Sequence, residues 1–526
     1  MGVGSGTHNA TAATAQQTIY YAFFVQDDFK ITPKVNINLG LRYDYEGRTD
    51  RFDQLTNFDF NQSAPLQAPA PNRGGVLTFA GVGGASRLLN DPDRNNFAPR
   101  VGVAYRLTRT TVIRTGAGIF FSPTTAPSTA FVGSGFTAST SLVTSLDGVT
   151  PLTFLRNPYP DGINKRTGSS LGPATLLGQS VSFFDRANRT PYAGQWNFNV
   201  QQQLPGVVLL DVGYAASRGL KQTVSRFLNQ LPDSALGLGD ELRAQVSNPF
   251  FGQITVGPLS QRTLSRAQLL RPFPHFDEVT SQNATLGTSS YHSLQVKIEK
   301  RYTSGFSFLS AYTWSKTLDL DTGFFSGEAL SGGGIQNWNN LRPDWAVSAL
   351  DQTHRLVINS VYELPFGKKL RGAAGKLLAG WEVGAVFSSL SGPPLGIGSA
   401  VNTTFSQGGG QRPNWTGVTT RLSEPAPDRW FDTSQFSNPP PYAFGNAPRT
   451  FGGSRGDGTA SLDLTAAKNT RLREKLQLQF RAEFFNLTNT PRFNPPNIVF
   501  GNQLFGVVNG QGNGPRVVQL ALKLVY

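Results

Sequence analysis

Apolar and polar residues alternate one by one along many segments of this chain. Between Val35 and Glu46 every second residue is apolar, namely Val35, Ile37, Leu39, Leu41, Tyr43 and Tyr45. Because successive side chains of a strand point to opposite faces, this pattern predicts a strand with one apolar and one polar face. The run is long for a soluble domain, and it suits a tilted strand that crosses a bilayer with about 9–11 residues.

The same alternation recurs along the chain and predicts about 14 strands, a number within the range of membrane barrels. Short turns such as Thr32-Pro33-Lys34 join the strands in pairs, with Pro33 favouring the turn. The opposite connections are long: 47–95, 122–191, 219–290, 316–350 and 392–459. Short turns at one end and long loops at the other are typical of outer-membrane barrels. The sequence therefore predicts an all-β fold, a transmembrane antiparallel up-and-down β-barrel with long extracellular loops.

Tyr and Trp residues lie near the ends of the predicted strands, where a membrane barrel carries its aromatic girdles. These residues are Tyr43, Tyr45, Tyr105, Trp314, Tyr362 and Trp381. A soluble β-sandwich with aromatic core residues is the alternative fold. Its strands, however, would be shorter than those predicted here.

The composition fits a strand-rich chain with long polar loops. Of 526 residues, 57 are Gly and 34 are Pro, and the 38 Phe residues argue against disorder. No apolar run reaches the roughly 18 residues of a membrane-spanning helix, since Glu382 interrupts even the stretch 377–390. The net charge of +14 is scattered rather than clustered, so we interpret it mainly as solvated lumen and loop residues and expect no nucleic-acid partner. Attraction to anionic lipid or solute is the second interpretation.

Motifs for catalysis or cofactor binding are weak in this sequence. Residues 168–172 match the G-x-S-x-G nucleophile pattern, but they follow a Pro-rich loop and lack the strand–turn–helix context of that motif. The chain has no Cys, and its four His residues lie far apart, so neither a thiolate site nor a zinc-binding spacing is present. We therefore expect no enzymatic activity, no metal and no cofactor.

For the remaining polar and aromatic candidates, we expect a structural role first and a role in solute binding second. Arg481 and Glu483 share the polar face of a predicted strand, and we expect them to form an ion pair inside the barrel lumen. Phe324, Phe325 and Trp338 are loop aromatics that could stack on sugars, although an exposed girdle position or packing within the loops is the plainer expectation. The sequence identifies no substrate-binding residue.

Ten stretches of the chain resemble the C-terminal barrel of TonB-dependent outer-membrane receptors, in the order that this family shows. The similarity is greatest to the subgroup with a carboxypeptidase-regulatory-like domain ahead of its plug. The stretches are FFVQDDFKITPKVNINLGLRYDYE (23–46), NNFAPRVGVAYRL (95–107), TVIRTGAGIFFSP (111–123), TPYAGQWNFNVQQQLPG (190–206), LLRPFPHF (269–276), SSYHSLQVKIEKRYTSGFSFLSAYTWSKTLD (289–319), DQTHRLVINSVYELPFGK (351–368), GWEVGAVFSSLSGPP (380–394), WFDTSQF (430–436) and LQLQFRAEFFNLTNTPRFNPP (476–496). No single stretch is specific, but the ordered set covers nearly the whole chain.

The resemblance implies a 22-stranded barrel closed around an N-terminal plug, which imports bulky solutes with energy relayed by the TonB complex. Because about 14 strands and no plug are visible, we expect residues 1–526 to be the C-terminal part of the barrel domain of a longer receptor. The implied partners are outer-membrane lipid, the TonB complex through the plug, the barrel-assembly machinery and an unknown solute. The implied location is the outer membrane of a Gram-negative-type bacterium.

The last predicted strand ends on alternating apolar residues and an aromatic C-terminal residue. Leu520, Leu522, Leu524 and Tyr526 resemble the assembly signal of such barrels. The same residues also suit an ordinary last strand, and the two interpretations are compatible.

Three functions remain open from the sequence. The first is the barrel of a TonB-dependent receptor that takes up a glycan-like, peptide-like or siderophore-like solute. The second is a passive porin of about 14 strands. The third is an adhesin or surface binding scaffold that uses the large loops.

Overall fold

One large antiparallel sheet dominates the computed structural model of the chain. The structure describes residues 5–525 apart from 68–73, 123–132, 146–149, 151, 155, 161, 321–333, 368–371, 409 and 474–475. Thirteen long strands follow one another through the sheet in chain order, each antiparallel to the next, close to the predicted number. They are β1 (Gln16–Thr32), β2 (Val35–Asp50), β3 (Phe97–Arg106), β4 (Thr111–Phe121), β5 (Tyr192–Leu204), β6 (Val208–Phe227), β7 (Val279–Thr303), β8 (Phe306–Asp319), β9 (His354–Glu363), β10 (Trp381–Leu390), β11 (Thr459–Arg473), β12 (Leu476–Phe485) and β13 (Val517–Val525).

Short strands and helices lie mainly in the long connections. The short strand pairs are Ser5–Thr11 with Thr137–Val143, Thr56–Ser63 with Gly74–Phe79, Gln245–Ser247 with Thr263–Ser265, Pro394–Leu395 with Phe451–Arg455, Gly398–Ser399 with Val499–Phe500, and Asn414–Trp415 with Phe436–Ser437. Two more short strands join the large sheet, Val181–Phe183 beside β7 and Ala346–Val347 beside β8. The helices are Gly172–Ala174, Asp233–Arg243, Pro258–Ser260, Arg266–Leu269, Arg342–Asp344, Gly372–Leu378 and Thr433–Gln435. None of the helices in the described part of the chain is long and apolar enough to span a membrane.

The strand register confirms the predicted alternation and gives the sheet two different faces. Leu39 pairs with Val101, Val101 with Ala117 and Ala117 with Trp196, so apolar residues continue from strand to strand across one face, here called the outer face. One position further along each strand, the pairs are Asn38–Gly102, Gly102–Gly116 and Gly116–Asn197, on the polar inner face. The sheet is open in the described residues, with β1 and β13 as its two edges.

The connections differ in length at the two ends of the sheet, as predicted. Ser304 and Gly305 form a two-residue turn with φ of 55° and 79°, the left-handed values that a type I′ hairpin needs. The connections at the other end are long, and we call them together the loop layer: residues 51–96, 122–191, 228–278, 320–353, 391–458 and 486–516. We refer to this end of the sheet as the upper end.

Two of the long connections in the loop layer differ from the sequence prediction. The predicted loop 219–290 is shorter, because β6 extends to Phe227 and β7 begins at Val279. These strand ends pair with three register shifts between Gly219 and Arg226 and consist mostly of polar residues, so apolar alternation does not reveal them. The loop 486–516 is a sixth long connection that the sequence pattern did not predict.

Candidate functional site

The inner face of the sheet carries charged side chains that pair along a single strand. Three ion pairs join residues two positions apart, at nitrogen–oxygen distances of 2.9, 2.8 and 2.6 Å: Arg42–Asp44, Lys297–Glu299 and Arg481–Glu483. Residues two apart share one face of a strand, so the spacing itself brings the opposite charges together. The structure thus places Arg481 in contact with Glu483, and the position of this pair inside a closed lumen stays a prediction.

Neutral amides extend the polar character of the inner face between strands. Gln201 donates from Nε2 to Asp211 Oδ2 over 2.7 Å, and Asn199 donates to the other carboxylate oxygen. On the first two strands, Asn38 donates to Asp28 over 2.6 Å. Such a lining can exchange hydrogen bonds with a polar solute.

Aromatic residues form two rows on the outer face, one near each end of the strands. On β8, Phe306 and Trp314 lie eight residues apart, which corresponds to about 26 Å along the strand. Phe306 contacts Tyr362 in the lower row, and Tyr43 contacts Phe97 in the upper row, with ring centroids 5.9 and 5.0 Å apart. The separation of the rows fits the roughly 25 Å apolar band between the girdles of a membrane barrel.

The residues of the predicted assembly signal lie on the same outer face. Leu520, Leu522 and Leu524 pair with Ala482, Phe480 and Leu478 of β12, and all three leucines are exposed. Tyr526 lies outside the described residues. The arrangement is that of an apolar edge strand, and its role in assembly stays a prediction.

Arg–Asp pairs with buried carboxylates join the loop 391–458 to the loop 320–353 and to the end of β8. The pairs are Arg412–Asp344, Arg449–Asp319 and Arg455–Asp351. Arg412 Nη1 lies 2.7 Å from Asp344 Oδ1, and solvent reaches neither side chain. Burial raises the pKa of Asp344, and the Arg412 guanidinium opposes that rise. Because a buried charge without its partner costs several kcal/mol, the pairs hold these two loops in one arrangement.

The sequence analysis missed these pairs, although a local signal exists for one of them. The segments Arg342-Pro343-Asp344-Trp345 and Arg412-Pro413-Asn414-Trp415 both place charge beside Pro and Trp. A solvated loop seldom needs large aromatic residues, so such segments favour a folded loop. The partner of each charge depends on contacts between distant segments, which no local pattern reveals.

The loop layer has its own apolar cores. One cluster consists of Leu395, Ile397, Phe431, Phe436, Ala447 and Phe451. Trp338 packs against Phe227 in another cluster, with ring centroids 6.1 Å apart, and only 5% of it is exposed. Trp338 is therefore packed within the loops, as the plainer sequence expectation had it. Phe324 and Phe325 lie outside the described residues.

His275 is a buried polar residue in the loop layer. Its Nε2 donates a hydrogen bond to the Gly75 carbonyl over 2.8 Å, and burial lowers the pKa of the imidazole. In the described ranges of the chain, no group of three His, Cys, Asp or Glu side chains could hold a metal ion.

A comparison with known protein families agrees with this architecture. The model of the outer membrane beta barrel domain family matches residues 2–519. Similar solved structures include the ferric-catecholate import receptor Fiu from K12 E. coli (11% identity, TM-score 0.42, covering 97% of this chain and 45% of that one), the outer membrane transporter YddB from Escherichia coli (10%, 0.44, 97% and 54%), and the ferripyoverdine receptor of Pseudomonas aeruginosa (10%, 0.42, 97% and 39%). The chain therefore spans about half or less of the length of these structures. Among curated protein sequences, no significant match is found.

Proposed function

The chain belongs to the outer membrane beta barrel domain family, and from this premise we propose that it forms the C-terminal wall of a receptor for TonB-energised solute uptake. The solute binds first to the loop layer, then passes along the inner face of the closed barrel, and no covalent bond is made or broken. The ten stretches that resemble TonB-dependent receptors support this proposal. The outer membrane is the location of the family, which accounts for the apolar outer face.

The number of strands restricts how the barrel can close, whereas the folded loop layer carries the preference for a receptor. Thirteen strands in antiparallel order leave β1 and β13 running in the same direction. Bacterial single-chain barrels close with an even number of antiparallel strands, and an unpaired edge in lipid leaves backbone groups without partners. Closure therefore needs an odd number of further strands. Nine more give the 22 strands of the plugged outer-membrane transporters, and one more gives a 14-stranded porin.

The folded loop layer supports a receptor over a simple pore. Among the residues that the structure describes, its connections contain buried Arg–Asp pairs and apolar clusters, so that part of the loop layer presents a fixed surface at the upper end of the sheet. A fixed surface loses less conformational entropy on binding than mobile loops would. Polar exposed residues on this surface and the paired charges of the inner face suit a large polar solute, such as a glycan, a peptide or a siderophore.

The test compares uptake in two bacterial strains that express the full-length protein and differ only in a functional TonB. The probes are labelled oligosaccharides, labelled peptides and ferric siderophores, each followed by surface binding and by intracellular accumulation. We expect one class to bind in both strains and to accumulate only where TonB functions. Equal accumulation in both strains would identify a passive porin, and binding without accumulation in either would identify a surface scaffold. Either outcome would overturn the proposal.

We further propose that β13 serves as the signal for the barrel-assembly machinery. The support is its row of exposed apolar side chains at an edge of the sheet, followed by an aromatic C-terminal residue. Deletion of Tyr526 in the full-length protein should lower the amount of heat-modifiable barrel in the outer membrane. The control is Lys523→Gln, which changes the inner face of the same strand and should insert normally. Normal insertion after the deletion would contradict the proposal.

A further inference from the structure

A depression with a basic lining lies at the lower end of the inner face, where short turns join β1 to β2 and β3 to β4. Its volume is about 710 Å³. The lining includes Lys30, Lys34, Asn36, Arg106 and Arg114. We call the four cations among them the lower basic site. Short turns of outer-membrane barrels face the periplasm, so the site lies at the end where a solute leaves the lumen.

The strand register places most of this lining in one row of the inner face. The row consists of Lys30, Asn36, Ala104 and Arg114, each paired with the next across β1 to β4. Arg106 lies two residues below Ala104 on the same face, about 7 Å along β3. Ala104 has the smallest side chain of the row, so the middle of the depression is open to a ligand.

Backbone hydrogen bonds hold the lower edge of the depression. Thr32 Oγ1 accepts hydrogen bonds from the backbone nitrogens of Lys34 and Val35, over 3.2 and 3.0 Å. The Arg106 backbone nitrogen donates to the Lys34 carbonyl over 2.8 Å, which ties β3 to this turn. The backbone that carries Lys34 and Arg106 is therefore fixed, and only their long side chains need to adjust to a ligand.

The cations of the lower basic site lack the carboxylate partners that other cations of the inner face have. Among the residues that the structure describes, none of the four belongs to an ion pair. The acids nearest in the strand register are Asp28 and Asp211, and both accept hydrogen bonds from amides, Asp28 from Asn38 and Asp211 from Gln201. Four cations against two such acids leave the depression with excess positive charge.

Unpaired cations around an open depression suit an oxyanion with several charges. The guanidinium groups of Arg106 and Arg114 match the geometry of carboxylate and phosphate groups, and the lysines add point charges. Asn36 lies between them, and its buried Oδ1 has no hydrogen-bond partner in the described part of the chain. This amide can therefore turn and donate to a bound anion.

We propose that the lower basic site binds the carboxylate or phosphate groups of the transported solute as it leaves the lumen. The solute is accordingly an anion, such as an acidic peptide, an acidic glycan or a negatively charged siderophore complex. The occupant is a solute because the inner face lines its path and does not meet the bilayer. This inference rests on the proposed function and adds the charge of the solute to it.

The test measures pyrophosphate binding to the detergent-purified full-length protein by isothermal titration calorimetry. The triple variant Lys30→Gln, Arg106→Gln and Arg114→Gln should weaken binding about tenfold or more, since each exposed ion pair contributes a factor of about two to five. Arg106→Lys with Arg114→Lys keeps the charges and should retain most of the affinity. An increase in salt from about 0.01 to 0.1 M, which shortens the Debye length from about 30 to 10 Å, should weaken binding.

The matched control is the triple variant Arg42→Gln, Lys297→Gln and Arg481→Gln, which removes three cations that already have carboxylate partners. It should bind pyrophosphate as the unsubstituted protein does, and heat-modifiable migration checks that both triple variants are folded. Equal loss in the control would show attraction to overall charge, and full binding by the first variant would place the anion elsewhere. No binding to the unsubstituted protein would show that the site is already occupied. Each of these results would overturn the inference.

Competition separates this inference from the proposed function. A solute that accumulates only where TonB functions should displace pyrophosphate from the unsubstituted protein. Failure to displace it would overturn the inference and leave TonB-energised uptake standing. Accumulation without TonB would overturn the proposed function, whereas pyrophosphate binding would remain.

Discussion

Leu522 on the outer face of the sheet is 69% exposed, whereas Leu395 in the loop layer is fully buried. The same contrast holds for charge, since Arg481 on the inner face is half exposed and Arg412 in the loop layer is not exposed at all. The sheet thus exposes its apolar side chains on the outer face and carries its paired charges on the inner face. The loop layer buries both kinds of side chain, as a soluble domain does.

The difference follows from the solvent that surrounds each region. In lipid, apolar side chains need no cover, and the sheet is held by backbone hydrogen bonds between strands. In water, a long loop keeps one shape only if it buries apolar surface and satisfies the polar groups that it takes inside. The loop layer meets both conditions with clusters such as that around Leu395 and with paired arginines.

The largest expected effect is on the loop layer, from Asp344→Ala. This substitution leaves the Arg412 guanidinium buried without its partner, which costs about 3–5 kcal/mol. We expect the loops 320–353 and 391–458 to open locally while the strands stay intact. Hydrogen exchange followed by mass spectrometry should show faster exchange in these loops and unchanged exchange in β9 and β10.

The double variant Asp344→Leu with Arg412→Met sharpens this prediction. It replaces the buried pair with apolar side chains of similar size, and the loss should be much smaller than in the single variant. A single variant that exchanges like the unsubstituted protein would show that the pair does not hold the loops. Faster exchange throughout the sheet would show that the two regions do not unfold separately.

The second prediction compares the two faces of one strand. Ile358 lies on the outer face, midway between Tyr362 of the lower row and His354, which pairs with Trp314 of the upper row. Asn359 lies on the inner face. Ile358→Lys should destabilise the membrane-inserted protein by about 2–4 kcal/mol, the cost of a lysine at the bilayer midplane. Asn359→Lys, which introduces the same side chain, should change stability little. Urea titration in lipid vesicles measures both, and equal effects would contradict the assignment of the faces.

A smaller effect is expected from the titration of His275 in the loop layer. Burial lowers the pKa of this imidazole in the folded loops, so the neutral form is favoured there. The stability that His275 contributes is therefore present above its unfolded pKa of about 6.5 and declines as the pH falls below it. Protease cleavage of the loop 228–278 should become faster below that pH. His275→Gln should flatten this dependence, and an unchanged profile in that variant would point to another group.

The smallest effect concerns an exposed ion pair of the same layer. Arg429 Nη2 lies 3.2 Å from Asp432 Oδ1, with the arginine largely exposed. Arg429→Ala should lower loop stability by less than about 1 kcal/mol, because solvent screens exposed pairs. Hydrogen bonds from Gln435 and Ser434 lower the pKa of Asp432 to about 2, and the hydrogen bond from Arg429 contributes least to this lowering. The rate of protease cleavage in the loop 391–458 should therefore barely change. A loss of loop stability as large as that caused by Asp344→Ala would contradict the distinction between buried and exposed ion pairs.

Sequence alternation predicted the sheet well because each strand is determined by its own residues. The alternation of side chains from Val35 to Tyr45 is enough to distinguish an outer from an inner face. Pairs such as Leu39–Val101 follow from that pattern. For the loop layer, the sequence predicted that long connections exist and roughly where they lie, but not how they fold. Arg412 and Asp344 meet across 68 residues of chain, and β6 extends to Phe227 through bulges without apolar alternation. Both depend on contacts between distant segments, which no local period encodes.

The most direct test of the account is a spin-label scan along β9. Residues 1–526 contain no cysteine, so each residue from His354 to Glu363 can be replaced singly by Cys in the full-length protein, with any cysteine outside this range replaced by Ser, and labelled after reconstitution in lipid. The account predicts that accessibility to oxygen, which dissolves in the bilayer, and to a water-soluble nickel complex alternates with a period of two residues. Labels at Leu356, Ile358 and Ser360 should be more accessible to oxygen. Labels at Val357, Asn359 and Val361 should be more accessible to the nickel complex. Access of the nickel complex to both sets would contradict the claim that this sheet is the wall of a membrane barrel.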